Sequence, residues 1–125
     1  MVPAIKQLDL GAEFGTPERC FITELSTAPD DPEASIARAR VERRVTTRWH
    51  RLRGISERYV ILEGEGRMEV GDLPPQNVKP GDVVLIPPLC RQRITSTGSG
   101  DLIFLCICIP QFTPAAYEDL EGEDR

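Results

Sequence analysis

WHRLRGISERYVILEGEG, residues 49–66, is the stretch that decides the fold. Over residues 56–62 side chains alternate so that Glu57, Tyr59 and Ile61 share one face, and Gly64 and Gly66 follow the run. Period-two alternation rich in aromatic and β-branched residues is the pattern of a half-buried strand, and the glycines mark a turn. The same stretch carries the chain's single histidine, His50, and, seven residues later, Glu57.

Upstream, residues 35–52 (SIARARVERRVTTRWHRL) continue an alternation that reads as strand, the β-branched VTT weighing against helix. TAPDDPEA before it is a surface loop, residues 20–26 a strand, and residues 5–10 a short apolar piece suited to a sheet edge. Downstream, residues 67–70 are expected to return as the hairpin partner of 56–62. Residues 71–79 give a loop or weak edge, Pro80-Gly81-Asp82 a turn into the strand VVLI, and residues 91–96 another alternating strand. Residues 102–109 are apolar at every position and are expected to be buried on both faces. After Pro110 the chain reads as an irregular arm with a disordered acidic end. Many short strands, frequent Gly/Pro turns and no long helical pattern predict an all-β sandwich or barrel, one domain over 1–125 without repeat or linker.

Composition narrows the partners. At 125 residues the chain suffices for one hydrophobic core, and a net charge of −5 argues against nucleic acid, which needs a basic face. Nothing approaches the run of about 20 apolar residues that spans a membrane, and residues 1–10 lack a basic region followed by an apolar one. The expectation is an untargeted, soluble cytoplasmic protein with no membrane partner. Eight arginines fall between Arg38 and Arg58. They read either as a solvated strand face or, for one or two turned inward, as the anchor of an anionic ligand, since the guanidinium fork matches carboxylate and phosphate. The four cysteines are expected as free thiols, with Cys106 and Cys108 packed on one strand face.

The order His50, Glu57, Gly64, followed by PGDVVLIPP, resembles the two motifs of the cupin superfamily, G-x5-H-x-H-x3/4-E-x6-G and G-x5-P-x-G-x2-H-x3-N. The resemblance covers about residues 41–109. It implies a double-stranded β-helix, the cupin jelly-roll barrel, often dimeric, with a small-molecule site inside. The conserved barrel would span about 35–110, flanked by an N-terminal strand arm at 1–20 and a C-terminal arm at 111–125. By the same resemblance His50 and Glu57 fall on metal-binding positions, whereas Leu52 and Gln92 replace two further histidines. Arg44 and Leu89 stand where the motifs have glycine, and Ser96 where they have asparagine.

With one histidine, no three-imidazole site can form in one subunit. His50, Glu57 and Gln92 are the remaining candidates for a weakly held divalent transition metal (Fe, Mn, Ni or Zn), the alternative being none. Alternation turns Arg48, His50 and Leu52 inward together, likewise Glu57, Tyr59 and Ile61, and likewise Cys90, Gln92 and Ile94. The expected ligand-binding set is therefore Arg48, His50, Leu52, Glu57, Tyr59, Cys90 and Gln92. His50 near Glu57 or Tyr59 would form an acid/base pair, making these three the candidate catalytic residues. Three functions follow: a small-molecule-binding cupin with a degenerate metal site; an enzyme, either a metal-dependent oxygenase or a metal-free isomerase or lyase with His50 as acid/base; or a ligand-sensing or scaffolding homodimer using strand 102–109 and the C-terminal arm.

Overall fold

The alternating stretch becomes strand β5 (Ser56–Glu63), which buries Glu57, Tyr59 and Ile61 on one face. The computed structural model describes residues 1–122. The other strands are β1 (Phe14–Gly15), β2 (Phe21–Ser26), β3 (Ser35–Val41), β4 (His50–Leu52), β6 (Gly66–Val70), β7 (Gln76–Val78), β8 (Val83–Ile86), β9 (Gln92–Ser96), β10 (Leu102–Ile109) and β11 (Tyr117–Asp119). They form a six-stranded sheet in the order β1-β2-β3-β10-β5-β8 and a five-stranded sheet in the order β11-β4-β9-β6-β7. Ala39, Val41, Tyr59, Ile61 and Phe104 of the first pack against Met68, Val78 and Ile94 of the second in one core. Two antiparallel sheets closed face to face around such a core make the expected jelly-roll barrel.

Several local expectations are corrected. Residues 67–70 are a strand but not the partner of β5; β6 lies in the other sheet, paired with β7 and β9. The chain crosses between sheets at Gly64, where φ is +80° and a Cβ would stand 2.5 Å from the Asp101 carbonyl oxygen. A glycine is required there by both backbone and space. The continuous strand read over residues 35–52 is broken. β3 stops at Val41, Arg44 takes φ +67°, and after a single bridge of Thr46 to Thr95 a named strand resumes only at His50, as β4.

Residues 5–10 form no edge strand but an exposed arm ending in a 3₁₀ turn at Leu10–Ala12. Strand β10 is central, between β3 and β5. It is not buried on both faces: Phe104, Cys106 and Cys108 look into the barrel, whereas Leu105 and Ile107 are half-buried and Ile109 is exposed. The C-terminal arm is structured as far as it is described, since β11 pairs with β4. The disordered end expected there falls partly on 123–125, outside the described residues. No helix among the described residues is long and apolar enough to cross a membrane.

Candidate functional site

Strand pairing sets the site's geometry. His50 and Gln92 are cross-strand partners on β4 and β9, while Glu57 lies across the barrel on β5, opposite Cys108 of β10. Between the sheets lies a cavity of about 410 Å³ whose lining includes Glu18, His50, Leu52, Glu57, Tyr59 and Tyr117. A volume of this order suits a small molecule. Both ends of the chain help to close it, through Phe14, Thr16 and Pro17 on one side and Phe112, Pro114 and Tyr117 on the other.

His50 is buried and its orientation is fixed. The ring's Nδ1 is 2.8 Å from the Arg48 carbonyl oxygen. A carbonyl only accepts, so Nδ1 carries hydrogen and donates. Nε2 is thereby left facing Glu18, 3.6 Å from its Oε2. This is ion-pair range but longer than a hydrogen bond. Tyr117 stacks on the imidazole, with ring centroids 5.1 Å apart and planes 22° from parallel.

Below this pair runs a hydrogen-bonded chain joining the two sheets. The Tyr59 hydroxyl donates to Gln92 Oε1 at 2.5 Å, and Gln92 Nε2 donates to Glu57 Oε1 at 2.8 Å. The Cys108 thiol donates to Glu57 Oε2 at 3.7 Å. Gln92 is fully enclosed, so the amide satisfies two buried groups at once. Burial raises the Glu57 pKa, opposed by the Gln92 amide and by His50; burial likewise raises that of Glu18, opposed by His50. Burial also holds Tyr59, Tyr117, Cys20 and Cys106 in their neutral forms. The Tyr117 hydroxyl is buried yet has no hydrogen-bond partner among the described residues.

Of the expected ligand-binding set, His50, Leu52, Glu57 and Tyr59 line the cavity. Arg48 does not. The chain before β4 is not strand, so alternation fails there, and the guanidinium pairs with Asp119 at 2.8 Å. Cys90 follows Leu89, whose φ of +65° resets the alternation, and its thiol packs toward Gly71 instead. Gln92 lies behind the wall, holding Tyr59 and Glu57. Of the expected acid/base partners of His50, the hydroxyl of Tyr59 and both oxygens of Glu57 are engaged in the chain above, although His50 acts electrostatically on Glu57, and the carboxyl group facing Nε2 is that of Glu18. Neither Glu18 nor Tyr117 was visible in the sequence. Glu18 sits in a turn with no periodicity, and Tyr117 in an arm whose docking no local pattern announces.

Nor does the donor set fit the metal that the motif implies. Gln92 Oε1 already accepts from Tyr59, and both Glu57 oxygens already accept hydrogen bonds. Among the described residues no three His, Cys, Asp or Glu side chains are grouped to hold a metal ion. Zinc and its neighbours require about that many free donors.

The comparisons with known proteins agree with this architecture. The chain matches the cupin domain family over residues 39–108. An uncharacterised protein of Methanocaldococcus jannaschii is 37% identical over 87 residues, 70% of this chain and 66%, just under two thirds, of that relative's length. Pac13, described as a nucleoside dehydratase, superposes with a TM-score of 0.74 at 16% identity, covering 94% of this chain and 92% of its own. Streptomyces Pac13 variants with a histidine or a tyrosine replaced have been solved with uridine. KdgF from Halomonas sp. gives 0.72 at 11% identity over 82% and 89% of the two chains. A predicted oxalate decarboxylase from Thermotoga maritima gives 0.65 at 27% over 73% and 80%. At such identities the Pac13 and KdgF likenesses carry the fold alone.

Proposed function

This chain belongs to the cupin domain family, and from that premise we propose that it is a small-molecule enzyme whose chemistry is proton transfer by His50 and Glu18 inside the barrel. The observation that carries the reading is the fixed imidazole: Nδ1 is tied to the Arg48 carbonyl, so Nε2 stands beside Glu18 in the cavity. Nε2 is placed to take a proton from a substrate C–H or O–H. Glu18, its pKa raised by burial, is suited to hand a proton to a departing or rearranging oxygen. Loss of water and isomerisation next to a carbonyl are the reactions such a pair serves. That Pac13 is described as a dehydratase supports this class without establishing it. No step is assigned to a metal, because the oxygen donors of Glu57 and Gln92 are already hydrogen-bonded.

The test is a panel of hydroxycarbonyl compounds and nucleosides incubated with the protein in D₂O, read by NMR for solvent exchange or loss of water. Turnover by the wild type that falls by about 10²-fold or more in both His50→Gln and Glu18→Gln, with the fold retained, is the expected result. Turnover surviving His50→Gln, or appearing only with added metal, contradicts it.

Self-association belongs to the same proposal. β10 is central in its sheet and the C-terminal arm packs on its own chain. The exposed apolar surface includes Val83 and Leu85 on the edge strand β8, together with an N-terminal arm whose Ile5 is 94% exposed. An unpaired apolar sheet edge and an unpacked apolar arm on one molecule are complementary between two copies.

A further inference from the structure

We infer that the cavity takes an uncharged molecule bearing a carbonyl or hydroxyl oxygen, and rejects carboxylates and phosphates. This deepens the reading of the cavity as the functional site and rests on it. The cavity wall holds Glu18, Glu24 and Glu57 but, among the described residues, no lysine or arginine. The arginines that might have met an anion are engaged elsewhere. Arg38 and Arg40 pair with Glu13, Arg40 also with Asp101, and Arg48 with Asp119. Among the described residues, His50 is the only other basic side chain in the wall, and its Nε2 already faces Glu18. An anion entering would lose its water and meet no lysine or arginine among the described residues, so it is excluded.

The carboxyl groups of Glu57 and Glu18 are not left open to a cation either. Both Glu57 oxygens accept hydrogen bonds from Gln92 and Cys108, and Glu18 is turned to His50. What remains unanswered is a donor: the buried Tyr117 hydroxyl, kept protonated by its surroundings, has no partner among the described residues and lines the cavity beside His50. A buried O–H without an acceptor is a standing cost that a ligand oxygen removes. The apolar wall of Phe14, Phe104 and Phe112 suits a flat or apolar body behind that oxygen. The ligand this describes places a carbonyl or hydroxyl oxygen at Tyr117 and its reacting proton at His50.

The experiment is an NMR screen of the full chain at neutral pH against a fragment library made of equal thirds uncharged, anionic and cationic compounds. His50 is the sole histidine, so its ring resonances report the cavity without ambiguity. Uncharged carbonyl and hydroxyl fragments should dominate among those that move these resonances. Tyr117→Phe, which keeps the stacked ring, should weaken them about tenfold, the loss of one hydrogen bond. Anionic or cationic fragments at or above their one-third share would overturn the charge inference while leaving the cavity as the site. Unchanged affinity in Tyr117→Phe would overturn the assigned contact. If no fragment of any class moves His50, the proposed function fails, and this inference with it.

Discussion

Arg44 and Leu89 hold left-handed backbone, with φ of +67° and +65°, at two positions where the cupin motifs have glycine and this chain does not. The fold has thus kept a glycine conformation after losing the glycine. Both side chains are exposed, so little packing opposes the change back. Arg44→Gly and Leu89→Gly are each expected to stabilise the protein by about 0.5–1 kcal/mol, the αL penalty less the added flexibility of the unfolded chain. Urea midpoints measure this; a lower midpoint in either variant would contradict it. Glu57 gives a second prediction. Because burial raises its pKa in the folded chain, the folded state holds the Glu57 proton more tightly than the unfolded chain does. The stability it contributes is complete below the ordinary glutamate range and is lost as pH rises through the raised folded value. Glu57→Gln keeps an acceptor for Gln92 and removes the titration. It should match the wild type in acid and gain on it as pH climbs above the glutamate range; parallel stability profiles would count against the buried carboxyl. Glu13, Glu69 and Asp119 act in the opposite sense, since arginine hydrogen bonds lower their pKa values and their stabilisation fades as pH falls. At this scale Glu57 and Tyr59 were legible because strand alternation places them on one face, His50 because the motif resemblance marked it, and Glu18 was not because nothing local does.

At the scale of elements, what could be read depended on whether a segment's partner is implied by its own pattern. β5 and β9 were recovered from alternation, and β8 and β10 from apolar runs bounded by turn residues. The hairpin assigned to residues 67–70 failed because a Gly-rich link permits either a return into the same sheet or a crossing to the other. Gly64 decides for the crossing, and Gly64→Ala, which drives a Cβ into the Asp101 carbonyl, should cost about 2–4 kcal/mol in thermal or urea unfolding. A loss below about 0.5 kcal/mol would mean that the crossing relaxes easily. The C-terminal arm shows the same principle: its residues carry no strand signal, yet Tyr117–Asp119 pairs with β4 and lays Tyr117 over His50. Tyr117→Ala is expected to lose about 1–2 kcal/mol and to shift the His50 ring protons downfield as the stacked ring's current is removed. Unmoved proton shifts would show that the arm does not cover the site in solution.

Over the whole molecule, the charge pattern acquired a different meaning from the one its sequence suggested. The arginine-rich stretch looked like an anion anchor, but of its arginines Arg38, Arg40, Arg48, Arg51 and Arg53 meet Glu13, Asp101, Asp119 and Glu118 around the outside of the barrel. The cavity is left without a cation, a result of tertiary pairing that no local pattern announces. The exposed arm and β8 edge predict a dimer by sedimentation that becomes monomeric in Leu85→Asp or after removal of residues 1–9, with the barrel intact. A wild-type chain that is monomeric at micromolar concentration would contradict the proposed self-association. The account as a whole depends on His50 offering Nε2 to the cavity beside Glu18. The most direct measurement is the ¹⁵N NMR of the single histidine in the wild type and in Glu18→Gln. The account predicts hydrogen on Nδ1 throughout, with the substitution moving the Nε2 signal and leaving Nδ1 nearly unchanged. A neutral ring protonated only at Nε2, indifferent to Glu18→Gln, would contradict it.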